Sequence, residues 1–492
     1  MIWGGSLFLA GPIKGPRAKL AAYKERNGKR MDQAPKSAIH PKGDFFNLKG
    51  SGTTVRTEIV AGLTTFFTMA YIIFVNPSIL GDANMPQGAV MIATCIAAAV
   101  GTLLMSLLAN YPFALASGMG LNAFFAYTIC GSMGFSWQAG LAAVFISGLI
   151  FILLTVTGLR TAIVNAIPLF LKKAIGGGIG LFIALIGLIN AGIIVPSNTS
   201  TIVGMGSFNT PTVILALVGL VITIALVCWK VKGGLLISIL ATSVIGAILQ
   251  YGFGVAVGLP ENVTFAFQFD FSAAGQFATG FGELFNAKEG IGVLIFSIVS
   301  VLLSLTMVDM FDTIGTLVGA ASKGGFLDKD GNLPRADKAL LADAVATCTG
   351  AVLGTSTVTT YVESSAGIAE GGKTGLTSLT TAACFVLAIF ASPLLGFIPG
   401  AATAPILIVV GVMMAGAIKE IDWHDIEVAI PSFFTLVMMP FAYSIADGIA
   451  FGCISYTVIK AVRGKFKDIH PVMWVIVLLF LLRYVFQNIQ LA

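Results

Sequence analysis

Charge is what this sequence has least of: Asp, Glu, Lys and Arg make up 10% of its 492 residues, where a soluble globular domain carries roughly 25%. A chain that is also 57% hydrophobic cannot clothe a water-facing surface. Histidine is nearly missing. His40, His424 and His470 fall in the tail or between apolar runs, so proton handling is left to carboxylates. The six cysteines (Cys95, Cys130, Cys228, Cys348, Cys384, Cys453) sit in apolar stretches with no CxxC spacing. That argues against a zinc site and a disulfide framework, and leaves them as small packing residues. No G-x-S-x-G, H-E-x-x-H or Walker loop occurs, so neither an enzyme nor a bound cofactor or metal is expected.

Present instead are long apolar runs such as Ile291–Met307 and Phe385–Ile398. In hydrocarbon every backbone N–H and C=O must be satisfied internally, which leaves helices or a closed barrel. Barrel strands alternate with a period of two, and these runs do not. The fold class is therefore an all-α polytopic membrane protein.

Fourteen apolar segments run from residue 57 to 463, the first near 58–80, the third near 113–130, the eighth near 291–320 and the tenth near 355–372. A further hydrophobic segment near 471–489 has no assigned place. The polar, basic tail covers 1–56, and Met31 stands beside Met1 as a second candidate start. With a cytoplasmic N-terminus, 26 of the 28 Lys and Arg residues fall in inside loops. A wrong segment count would spoil that asymmetry. The net charge of +5 is thus an orientation signal and does not mark a nucleic-acid patch.

Phe67-Thr68-Met69-Ala70 in the first segment is echoed by Leu305-Thr306-Met307-Val308 in the eighth, and Glu363 in the tenth falls where Asn122 falls in the third. Seven segments per half is odd, so the halves enter from opposite sides as inverted repeats. These are 57–255 and 291–463, separated by an extracellular loop at 256–290 and followed by the extra segment at 464–492.

The third and tenth segments look interrupted. Leu115–Asn122 carries two glycines and a polar residue, and Gly354–Ser365 is rich in hydroxyls and β-branched residues. Both read as an extended entry followed by a half-helix, which membrane depth tolerates only beside a cavity or under protein cover. Asp309 and Asp312 stand three residues apart on one face of the eighth segment, and Glu363 is the third acid at depth. Buried intramembrane acids are costly and mark function by default. Together they suggest a proton relay with acceptors for a polar substrate. Glu370 and Lys373 are expected to pair locally, and Gly176-Gly177-Gly178 is expected to serve helix packing.

The stretches Thr57–Pro77, Gly118–Phe125, Asp309–Thr316 and Gly354–Gly375 closely resemble the AzgA-like purine permeases, a branch of the nucleobase–cation symporters with the uracil-permease-like fold. The resemblance implies fourteen helices in core units (57–158 and 291–396) and gate units (159–255 and 397–463), the gate mediating a homodimer. It implies proton-coupled uptake of hypoxanthine, guanine or adenine at the cell membrane, among lipid. Glu363 and Asn122 would contact the purine, with Thr360, Tyr361, Val362 and Phe124 beside it. Asp309 and Asp312 would join substrate binding to proton coupling, with Glu363 taking part. Ser364 follows Glu363 where the wider nucleobase–ascorbate group has Asn, and the eighth segment lacks the histidine of uracil permeases. A same-fold carrier of uracil, xanthine or an anion, and sodium coupling, stand as alternatives.

Overall fold

The computed structural model describes residues 44–158, 166–196, 203–260, 269–285, 291–328 and 333–491. The expectations for the tail before residue 44, and for Arg160, Lys288 and Lys329, lie outside them.

The first interrupted segment is α1 (Val55–Met69) and α2 (Ile72–Gly81). It is followed by α3 (Gln87–Leu104), strand β1 (Leu115–Ser117), α4 (Met119–Ala123, continuing in wide turns to Ser132), α5 (Trp137–Val156) and α6 (Leu169–Asn190). A small hairpin, β2 (Ile194–Pro196) and β3 (Val203–Met205), precedes α7 (Pro211–Cys228) and α8 (Gly234–Ala247). Then come α9 (Phe277–Leu284), α10 (Ile291–Gly324), α11 (Ala336–Leu353), β4 (Val358–Thr360) and α12 (Ser364–Ala369). The chain ends with α13 (Gly375–Ala388), α14 (Gly400–Ala415), α15 (Ile426–Phe441), α16 (Ile445–Val462) and α17 (Pro471–Leu491). Helix starts carry the expected signals: Thr54, Ser136 and Ser444 accept from the N–H groups of Thr57, Ala139 and Asp447, and Pro211 opens α7.

Among the described residues nine helices, some of them merged neighbours, are long and apolar enough to cross a membrane. Fourteen segments were expected, and the shortfall has physical causes. The third and tenth segments are split by strands into short half-helices, and α11 carries Asp337, Lys338 and Asp343. The expected loop at 256–290 contains α9, which packs on α5 with the Phe277 ring 4.7 Å from Phe145. The C-terminal helix gains a place: α17 lies against α10 and α16, and Tyr484 donates to Asp447 Oδ1 at 2.8 Å.

Two long-range contacts were not legible. Glu58, fully buried near the start of α1, accepts from the N–H groups of Lys373 (3.0 Å), Thr374 and Thr377 (both 3.2 Å) and from the Thr377 hydroxyl (2.6 Å). Glu58 thereby satisfies one first-turn donor of α13 and two in the approach to it, and ties it to α1. Glu370 does not pair with Lys373: it bonds Lys232 at 2.7 Å, while Lys373 reaches the Gly52 carbonyl. The chain turns at Gly371, whose φ of +103° only glycine adopts readily, and this breaks the helical spacing the pairing needed.

Of the three α6 glycines expected to serve packing, Gly177 and Gly178 do and Gly176 does not. A Cβ on Gly180 would lie 2.6 Å from the Ala415 N of α14, and one on Gly177 2.6 Å from Ile418. Gly176 faces open space. Gly180→Val is therefore expected to destabilise the fold by about 1–3 kcal/mol through overpacking, whereas Gly176→Val changes little. Melting temperatures of both variants in detergent check this.

Candidate functional site

Two interrupted segments meet at the centre. β1 and β4 pair antiparallel, with Leu115 opposite Thr360, Ala116 opposite Thr359 and Ser117 opposite Val358. Gly118 N–H donates to the Thr357 carbonyl (3.2 Å) and Tyr361 N–H to that of Ala114 (2.9 Å), which extends the ribbon at both ends. Thr and Val suit this backbone because a β-branched side chain fits an extended, packed strand. The outer edges are closed by side chains. Thr102 of α3 accepts from Leu115 N–H (2.9 Å) and donates to its carbonyl (3.0 Å), and Thr347 of α11 donates to the Val358 carbonyl (3.1 Å). Asn76 of α2 pins the ribbon further, its amide donating to Thr94 (2.7 Å) and to Thr355 (2.8 Å).

Each strand feeds a half-helix, α4 after β1 and α12 after β4. Asn122 lies fully buried in α4, and its Oδ1 accepts from the Ser356 hydroxyl. Its Nδ2, with the hydroxyls of Thr357 and Thr360, is buried without a hydrogen-bond partner among the described residues. Such groups are rare in native interiors. Glu363 caps α12, and its Oε1 accepts from the Tyr71 hydroxyl at 2.6 Å.

The acids gather beside this ribbon. Thr313 of α10 donates to Asp343 Oδ2 on α11 at 2.9 Å and lies 3.4 Å from Asp309 Oδ1, so one hydroxyl stands between two buried carboxyls. Asp312 accepts from the Thr359 hydroxyl of β4 at 3.4 Å. Gly118 completes the approach: a Cβ there would stand 3.4 Å from Asp312 Oδ2.

Asp309, Asp312, Glu363, Asn122 and Thr360 are thus brought to the ribbon and the two helices flanking it. Tyr361 is there too, but its hydroxyl is engaged by the Ser117 carbonyl. Val362 is partly exposed beside Glu363. Phe124 is fully buried in the continuation of α4, in the same apolar core cluster as Tyr71 and Tyr361. Two residues went unnoticed. Asp343 is an acid in the middle of an apolar segment, so the rule that singled out Asp309 applies to it equally. Tyr71 lies in the first segment and gave no signal, because its partner is 292 residues away.

Nine apolar spans among the described residues, paired half-helices and a buried acidic centre define a multi-pass membrane protein. A family profile described as "Permease family" (Xan_ur_permease) matches residues 56–451, and the chain belongs to that family. It is 42% identical to the adenine permease AdeP of Escherichia coli over 90% of this chain and 95% of that one. It is 44% identical to the guanine/hypoxanthine permease PbuG of Bacillus subtilis over 90% of this chain and 99% of that one. Among solved structures, the transmembrane domain of the cyanobacterium bicarbonate transporter BicA superposes with a TM-score of 0.57 at 16% identity, covering 81% of this chain and 97% of that one. SLC26A9 gives 0.58 at 11% identity, covering 94% and 73%. These two show a shared fold.

The ribbon generates a stability prediction. Thr102→Val leaves both backbone groups of Leu115 without their side-chain partner, which is expected to cost about 1–3 kcal/mol, and Thr102→Ser is expected to recover most of it. Unfolding of the detergent-solubilised variants measures the difference.

Proposed function

We propose that this chain imports purine nucleobases, hypoxanthine and guanine foremost and adenine as the further candidate, with protons across the cell membrane by alternating access. The carrying observation is a pair of groups at the ribbon: the Glu363 carboxyl, one oxygen of which accepts from Tyr71, and a buried, unpartnered amide N–H on Asn122. A purine is planar, neutral and edged with donors and acceptors, so such a pair suits it. The names of the relatives point the same way, to adenine and to guanine and hypoxanthine. From Leu302 to Ser322 and from Ala339 to Gly372 the sequence has no Lys or Arg, which favours a neutral solute over an anion.

In this reading Asp309, Asp312 and Asp343 load the proton, and Glu363 links it to the purine. Thr360, Tyr361, Val362 and Phe124 shape the cleft. Fourteen segments form two inverted repeats, with core units 57–158 and 291–396, gate units 159–255 and 397–463, and the gate as a homodimer surface. The N-terminus is cytoplasmic.

With that orientation α2, the α4 continuation, α6 and α15 all end outside. There Tyr127 donates to Asp82 Oδ2 (2.6 Å), accepts from Asn190 Nδ2 (3.4 Å) and packs edge-on against Tyr443 (5.8 Å), which in turn meets Phe182 (5.3 Å). Partial burial raises the Asp82 carboxyl above its usual range, opposed by the hydrogen bonds of Tyr127 and Asn190. These contacts join the proposed core to the proposed gate. At the inner end a bridge between them is the exposed Lys232–Glu370 pair, and surface pairs contribute about 0–1 kcal/mol. The arrangement supports an outer face held shut and an inner face that opens readily.

Radiolabelled hypoxanthine uptake in cells lacking their own purine carriers tests the substrate. Saturable uptake, competed by guanine and lost in Glu363→Ala, is expected; uptake that persists in Glu363→Ala, or that only uracil or an anion competes, contradicts it. Tyr127→Phe weakens the outer closure and raises the outward-facing population, so the external KM is expected to fall by about twofold while Vmax drops. A KM that rises speaks against that closure.

A further inference from the structure

The first segment does not cross straight. α1 ends at Met69, α2 begins at Ile72, and Ala70 and Tyr71 between them form a turn. Pro77 in α2 cannot donate a backbone hydrogen bond, which loosens the same stretch. Tyr71 sits in this turn wholly buried, and its hydroxyl donates to Glu363 Oε1 at 2.6 Å. One oxygen of the carboxylate is thereby engaged, which leaves Oε2 to take a donor from a bound molecule. A hydrogen bond to an ionised group is shorter and about twice as strong as a neutral one. A carboxylate at the head of a six-residue helix would otherwise turn about its own bonds.

We propose that Tyr71 is a positioning residue for substrate recognition, holding the Glu363 carboxylate so that Oε2 alone faces a single N–H on the edge of the purine. This rests on the purine reading and deepens it, because it assigns recognition of one N–H to one fixed oxygen. The remaining polar contact on the substrate then falls to other groups of the ribbon, such as the unpartnered Nδ2 of Asn122. The break in the first segment acquires a purpose: it brings a phenol to a helix head 292 residues further along the chain.

The test uses the full chain in proteoliposomes with radiolabelled hypoxanthine as probe. Tyr71→Phe keeps the ring and is expected to raise KM about tenfold, the scale of one hydrogen bond to a charged group, with Vmax and melting temperature little changed. Glu363→Asp withdraws the carboxylate from Tyr71, and in that background Tyr71→Phe is expected to change KM no further. A Tyr71→Phe variant with unchanged KM, or with loss confined to Vmax and melting temperature, overturns the proposal while wild-type uptake keeps the purine reading intact. Wild-type proteoliposomes that take up no hypoxanthine overturn both. Should Tyr71→Phe fail to reach the membrane, 3,5-difluorotyrosine at position 71 keeps ring and hydroxyl but strengthens the donor. A KM shifted without change in Vmax then supports the role, and an unmoved KM refutes it.

Discussion

Backbone hydrogen bonding in the absence of water is the constraint on which this structure depends. Two segments abandon the helix at membrane depth, where each unsatisfied N–H or C=O costs several kcal/mol. They survive because β1 and β4 complete one another, and because Thr102 and Thr347 close the outer edges that a two-stranded ribbon leaves open. The ribbon in turn fixes where the half-helices begin. Asn122 in α4 and Glu363 at the head of α12 therefore follow opposite ends of the ribbon.

Around that ribbon the acids are linked through hydroxyls and kept apart from bases. Thr313 stands between Asp309 and Asp343, and Thr359 donates to Asp312, so α10, α11 and β4 share one polar seam through an apolar interior. Buried carboxyls in such a seam are expensive when charged and inexpensive when protonated. That asymmetry is what a carrier driven by protons needs, and an anion site would need the reverse.

Much of this was legible from residue order. Long apolar runs announced the spanning helices, and the hydroxyl-rich Gly354–Ser365 with the glycines of Leu115–Asn122 announced an extended entry into each half-helix. What escaped were pairings across the fold. Glu58 reads as an ordinary first-turn acid until α13 is seen to begin against it, and Tyr71 reads as core until Glu363 arrives. The Glu370–Lys373 expectation failed because the chain turns at Gly371 and Glu370 meets Lys232 instead. Asp343 is a different case: the cost of a buried acid was argued for Asp309 and Asp312 and simply not applied one segment further on.

The central claim is that a purine and a proton cross together through this acidic seam. It is tested most directly in proteoliposomes loaded with a pH-sensitive dye and given no initial pH gradient, where hypoxanthine is added outside. The account predicts internal acidification that saturates with hypoxanthine, persists in sodium-free medium and is absent in Glu363→Ala. Hypoxanthine entry with no acidification, or acidification that requires sodium, would contradict it.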